Sequence, residues 1–85
     1  MTDTAPLTLD ILRADVAAML GEAPEDIGPD DNLLDLGLDS MRMLGLVMKW
    51  GRTGIPLEFS ALAEHTTLDG WWRVISQLQE QARRP

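Results

Sequence analysis

Apolar residues recur at helical spacing in three stretches of the chain, and nowhere do apolar and polar residues alternate as they do along a half-buried strand. Leu9, Leu12, Val16 and Met19 advance by +3, +4, +3 and predict a first helix over about Leu9–Leu20. Thr8 stands at its N-cap position, Asp10 falls in its first turn, and Gly21 supplies the stop. The most apolar stretch predicts a second helix from Asp39 or Ser40 to about Trp50, ending before Gly51 and Gly54. A short third helix fits Leu57–Glu64, behind Pro56. The last helix follows Thr66-Thr67, takes Asp69 into its first turn and continues to about Gln81; its face is Leu68, Trp71, Ile75, Leu78 and Ala82.

Residues 21–39 form a long connection marked by Pro24, Gly28, Pro29 and Gly37. A loop of that length inside a small domain is uncommon and tends to carry function. A turn of helix is expected near Glu25–Ile27, with Ile27, Leu33, Leu34 and Leu36 as buried anchors. The expected fold class is all-α: a four-helix bundle with a long first loop and a short third helix. It forms a single domain over residues 1–85, with an ordered core of about 8–81 and tails at 1–6 and 83–85.

The second helix departs from the usual single apolar face. Met43, Leu46, Val47 and Trp50 form one stripe, while Met41, Leu44, Gly45 and Met48 form another on nearly the opposite side. Either the bundle encloses this helix completely or one stripe is offered to a partner. An 85-residue chain is short for complete enclosure, so the Trp50 stripe is assigned to the core and the Met41/Leu44/Met48 stripe to docking, where adaptable Met is common.

Charge narrows the partners. Residues 1–39 hold ten acids against Arg13 alone, residues 40–85 hold four acids against six bases, and the formal net charge is −7. That balance repels polyphosphate, so nucleic-acid binding, including a helix-turn-helix reading, is disfavoured, and an acidic surface beside a mildly basic one suggests docking onto proteins. Cysteine is absent, which removes thiolate chemistry, disulfides and Cys-based zinc sites. His65 alone leaves little for a His-ligated metal or a Ser–His pair, so an enzyme is not expected. The start of the chain lacks the basic-then-apolar pattern of a secretory signal, and no apolar run approaches the ~20 residues of a membrane span. The expected protein is cytoplasmic, monomeric and unattached to membranes; Met1 and the short ends favour a free-standing chain over an excised domain.

The most informative segment is Leu36-Gly37-Leu38-Asp39-Ser40-Met41-Arg42. A Gly-containing approach leads to Asp-Ser at the start of an apolar helix, where free N–H groups and the helix dipole stabilise an anion on an exposed hydroxyl. Asp and Ser also favour helix starts for capping alone, so the pair by itself leaves both readings open. Preceded by Leu36-Gly37-Leu38, Asp39-Ser40 resembles the 4′-phosphopantetheine attachment site of acyl and peptidyl carrier proteins. More narrowly, Gly37-Leu38-Asp39-Ser40-Met41-Arg42-Met43 resembles the aryl carrier proteins of siderophore-forming nonribosomal peptide synthetases, with further similarity in Asp31-Asn32-Leu33, Lys49-Trp50 and Trp71-Trp72.

That resemblance implies a carrier-type helical bundle in which Ser40 receives 4′-phosphopantetheine from coenzyme A through a separate phosphopantetheinyl transferase, the Mg²⁺ belonging to that enzyme. Asp39 would combine the helix cap with transferase recognition. An aryl-acid adenylation enzyme would load 2,3-dihydroxybenzoate, salicylate or a similar acid as a thioester, and a condensation or cyclisation domain would take it onward. The resemblance places partner contacts at Leu38, Met41, Leu44, Met48, Phe59 and Ala63. Phe59, Leu62 and Ala63 share one face, so a core role for some of them is an equal reading; Phe59 is expected to be partly exposed. Leu38 stands where peptidyl carriers most often have Gly, and the second helix carries Arg42 and Lys49, with Arg52 just beyond, where fatty-acid carriers are usually acidic. This argues against a fatty-acid partner set. The alternatives are a polyketide-type acyl carrier and an unmodified helical adaptor.

Three other signals read as structural. The acids of the first loop fail the EF-hand spacing, since Leu33 and Leu36 fall where oxygen ligands and Gly are needed, so no metal is assigned. Trp72 is expected at the domain edge, where packing outweighs a stacking site for an aryl group, and His65 at the surface or in a cap. Gly45 inside the second helix is read as permitting a neighbour's close approach, from this chain or a partner.

Overall fold

The structure is a computed structural model that describes residues 6–83, Arg83 by its backbone alone; of the tails expected at 1–6 and 83–85, residues 1–5 and 84–85 lie outside the described residues. Four helices follow in order: α1 (Leu9–Leu20), α2 (Ser40–Gly51), α3 (Phe59–Ala63) and α4 (Leu68–Arg83), with a 3-10 turn at Pro24–Asp26. No strand occurs among the described residues, and no described helix is long and apolar enough to cross a membrane.

The caps of α1 form as their residue types predict. The Thr8 hydroxyl accepts the Ile11 N–H at 3.1 Å, and Gly21 ends the helix in the left-handed region at φ 72°. The apolar stripes then meet in one core. Leu12 and Val16 of α1, Met43, Leu46, Val47 and Trp50 of α2, Leu62 of α3, and Leu68, Trp71 and Ile75 of α4 are all buried. At its centre the Trp50 and Trp71 rings meet edge to face, centroids 6.0 Å apart and planes at 70°. The Trp71 indole N–H donates to the carbonyls of Leu62 (2.9 Å) and His65 (3.0 Å), tying α4 to the end of α3.

Asp15 joins α1 to α2. Its carboxylate accepts the Trp50 indole N–H at 2.9 Å and the Lys49 ammonium at 3.0 Å. The two bonds differ in weight because Trp50 is buried whereas the Lys49 side chain is 60% exposed. Asp15→Ala leaves the indole N–H without its acceptor and is expected to cost about 1–3 kcal/mol. Lys49→Ala removes only an exposed ion pair and should cost less than about 1 kcal/mol. Urea denaturation of the two variants checks the order; equal losses would show that the ion pair, not the indole bond, carries the contact.

Several expectations are corrected. Leu34 is exposed rather than a buried loop anchor, while Ile27 and Leu33 are buried and Leu36 half-buried. The loop backbone explains this: Leu33 N–H donates to Thr66 O (2.8 Å) and Asp69 N–H to Pro29 O (3.0 Å), which stitches the loop to the α3–α4 turn through Leu33 and leaves its neighbour facing out. Helix α3 starts at Phe59, not Leu57, because the Leu57 N–H is used in a tight turn to Ile55 O. Helix α4 runs to Arg83, past the expected Gln81, and Ala82 is exposed, so the buried face ends earlier than its sequence spacing suggests. Leu7, one residue before the expected core, already packs against it. Leu7 is buried, and its backbone is held at both N–H and C=O by the Gln79 side-chain amide.

Candidate functional site

The segment before α2 turns three times in succession: Asp35 N–H bonds Asn32 O, Leu36 N–H bonds Leu33 O, and Gly37 N–H bonds Leu34 O. Gly37 then takes φ 111°, a conformation open to glycine, and redirects the chain into Leu38. Leu38 is buried at 4% exposure, with its N–H bonded to Leu33 O at 3.1 Å. Its expected role as a partner contact is therefore corrected: the side chain is an internal anchor that fixes the start of α2.

Beyond that anchor, Asp39 is extended (φ −132°, ψ 179°) and its carboxylate accepts the Arg42 N–H at 2.9 Å. It is the N-cap. The Arg42 guanidinium folds back to Gly37 O at 3.3 Å and closes the turn from the other side. Ser40 is the first helical residue; it is exposed, and its hydroxyl bonds to no group among the described residues. Capping and the free hydroxyl, which share one dipeptide in the sequence, are thus divided between two residues. The N–H groups of the first turn that lack intrahelical acceptors, with the positive end of the helix dipole, suit an anion on that oxygen.

Along α2 from Ser40, Met41 (84% exposed), Leu44 (48%) and Met48 (61%) form an apolar stripe on the surface. Phe59 at 36% and Ala63 of α3 are also exposed, while Leu62 of the same helix is buried, which separates the two readings of that face. The structure thus leaves five of the six expected contact residues at the surface and withdraws Leu38. Leu34 joins the exposed apolar residues, although its residue type points to the core. The one local signal for its outward placement is an Asx turn, in which its N–H bonds Asn32 Oδ1 at 3.0 Å.

Gly45 has an intramolecular neighbour: a Cβ added there would stand 3.5 Å from the Met19 methyl, an ordinary contact. Gly45→Ala is therefore expected to stabilise the domain by up to about 1 kcal/mol, seen as a higher urea midpoint; a lower midpoint would show that the helix needs glycine there. Trp72 is half-buried at the edge and borders a cavity of about 470 Å³ together with Leu7, Thr8 and Gln79. His65 is half-buried, its ring packed over Gly70.

Comparison with known proteins agrees with this geometry. The family described as "Phosphopantetheine attachment site" matches residues 10–75. The chain is 44% identical over 75 residues to the acyl carrier protein ScoB of Streptomyces coeruleorubidus, covering 88% of each. It is 42% identical over 67 residues to phenyloxazoline synthase MbtB of Mycobacterium tuberculosis, 79% of this chain but 5% of that one. With enterobactin synthase component B of Escherichia coli it shares 38% identity over 72 residues, 85% of this chain and 25% of the relative. Among solved structures, the HMG-ACPI domain of the CurA module from Lyngbya majuscula superposes with a TM-score of 0.74 at 26% identity, covering 96% of this chain and 90% of that one.

Proposed function

The chain belongs to the phosphopantetheine-bearing carrier family, whose members hold 4′-phosphopantetheine, and from that premise we propose that it is an aryl carrier protein with Ser40 as the attachment residue. The carrying observation is the division of labour at the start of α2: Asp39 accepts the Arg42 N–H, so the exposed Ser40 hydroxyl has no structural duty and is open to a transferase. The residues fit the group, since a free hydroxyl stands at a helix N-terminus suited to a phosphodiester. When bound, the group supplies a thiol that holds an acyl chain as a thioester. The protein's own residues do the rest. Leu38 and Gly37 fix the exit point, Asp39 holds the helix start and meets the transferase, and Met41, Leu44, Met48, Phe59 and Ala63 offer the surface on which successive enzymes dock. The chain performs no bond chemistry; it keeps a tethered acyl group at high local concentration for its partners.

Relatives named for phenyloxazoline and enterobactin synthesis support an aryl cargo of the dihydroxybenzoate or salicylate class in siderophore-type assembly. The partners on this reading are a phosphopantetheinyl transferase, an aryl-acid adenylation enzyme and a condensation or cyclisation domain, acting in the cytoplasm. A polyketide-type acyl carrier is the second reading, favoured by the name of ScoB and by the CurA domain. The holo-protein, offered to an aryl-acid adenylation enzyme with ATP and salicylate or 2,3-dihydroxybenzoate, and separately to a malonyl-transferring enzyme, should gain the aryl group. Malonyl loading without aryl loading would overturn the aryl assignment and leave the carrier standing.

A further inference from the structure

The loop that leads to Ser40 is held to the region where α3 passes into α4 by two backbone bonds. Leu33 N–H donates to Thr66 O at 2.8 Å, and Asp69 N–H donates to Pro29 O at 3.0 Å. The second bond uses a first-turn N–H of α4, a group with no acceptor in its own helix, while the Thr67 hydroxyl takes the Gly70 N–H at 3.1 Å. Leu33 is fully buried, and its carbonyl accepts the N–H groups of Leu36 and Leu38, each at 3.1 Å. A backbone path therefore runs from Thr66 O through both polar groups of Leu33 to Leu38, the anchor that precedes Asp39 and Ser40. The far end of that path is tightly seated. His65 stands just before Thr66; its carbonyl accepts the Trp71 indole N–H at 3.0 Å, and its side chain lies against Gly70. A Cβ at Gly70 would stand 2.8 Å from His65 Cβ and 2.9 Å from its Cγ and Nδ1, closer than real Cβ atoms come. The nearest atom is the root of the side chain, so no rotation of the ring relieves the clash and the backbone of the turn must shift.

We propose that Gly70 is a positioning residue for Ser40: by admitting His65 against α4 it seats the α3–α4 turn, Thr66 O then holds Leu33, and Leu33 holds the start of α2 where a transferase needs it. The inference rests on the carrier reading of Ser40 and adds a residue, distant in sequence, on which modification of that hydroxyl depends. A substitution at Gly70 changes neither Ser40 nor the surface of α2, so encounter with the transferase should persist while the hydroxyl is less well placed. Placement acts on the transfer step itself, where an error of about 1 Å can cost roughly a hundredfold. The signature is therefore a fall in kcat with little change in KM.

The test offers the full chain, free of phosphopantetheine, to a broad-specificity phosphopantetheinyl transferase with coenzyme A. The forms compared are wild type, Gly70→Ala, His65→Gly, the two substitutions together, and a semisynthetic protein in which an ester oxygen replaces the Leu33 N–H. Asp15→Ala, which loses its stability at the α1–α2 contact, is the control. Gly70→Ala and the ester should each lower kcat about tenfold and leave KM within about twofold. In both, the Leu38 amide should exchange with deuterium about tenfold faster than in wild type, while Ile75 in the core changes only as global stability does. His65→Gly removes all three atoms that the added methyl meets, so the double variant should recover to within about threefold of the kcat of His65→Gly alone. Asp15→Ala should keep the wild-type kcat. The ester keeps every side chain, so it decides whatever stability Gly70→Ala gives up. An ester protein within about twofold of the wild-type kcat, no recovery in the double variant, or an equal loss in Asp15→Ala would overturn the proposal. A wild type that gains no phosphopantetheine overturns the reading of Ser40 and this inference with it; a modified wild type beside unaffected variants overturns this inference alone.

Discussion

Ser40→Ala is expected to abolish phosphopantetheine attachment while leaving the domain as stable as the wild type. Incubated with coenzyme A and a broad-specificity phosphopantetheinyl transferase, the wild type should gain the mass of one phosphopantetheine and the variant none. Stability should be spared because the Ser40 hydroxyl is exposed and bonds to nothing among the described residues, and alanine favours a helical position. The urea midpoints should correspond to a difference within about 0.5 kcal/mol. The neighbouring Asp39→Ala should behave in the opposite sense on stability, costing about 1 kcal/mol through loss of the cap to the Arg42 N–H. A wild type that gains no mass while known carriers do, or an S40A variant modified as readily as wild type, would sink the assignment of Ser40.

The candidate site is legible in the sequence where its chemistry is local. An Asp-Ser pair at the head of an apolar run has few arrangements open to it, and α2 begins at Ser40 as that pattern implies. The double stripe is legible too, because helical periodicity assigns sides before any tertiary contact is known: Met43, Leu46, Val47 and Trp50 are buried, and Met41, Leu44 and Met48 are exposed. What the pattern does not supply is which leucines of a loop point inward. Residue type and resemblance put Leu34 inside and Leu38 at the surface, and the structure reverses both. Direction in that loop is set by Gly37 at φ 111° and by the Leu33–Thr66 backbone bond, neither of which leaves a periodic trace.

The same distinction holds for the fold. The ends of α1 follow from Thr8 and Gly21, which act on their own helix. The contacts that join helices are of another kind. Asp15 meets Trp50 across 35 positions and Gln79 meets Leu7 across 72, and nothing near either residue in the sequence announces its partner. Helix α3 is shorter than its sequence suggests because Leu57 and Glu58 suit a helix by type, yet the turn from Ile55 uses the backbone first.

Trp71→Ala should produce the largest loss of stability of any single change considered. The ring has no exposed surface, packs edge to face on Trp50, and bonds two carbonyls at the α3–α4 junction. Truncating a buried tryptophan costs about 3–5 kcal/mol. A domain of this size holds about 4–13 kcal/mol in all. Such a loss takes roughly a third to three-fifths of a stability near the middle of that range, and near the low end it brings the domain to about its unfolding midpoint. Trp71→Phe separates the two contributions: it keeps most of the packing but strips the N–H from Leu62 O and His65 O, and is expected to cost about 1–3 kcal/mol. Circular dichroism through a urea titration reads both. If Trp71→Ala shifts the midpoint no further than Asp15→Ala, the core is not organised around the Trp50–Trp71 pair, and the support for Leu38 and the start of α2 must be sought among the other fully buried side chains, such as Leu12, Leu46 and Leu62.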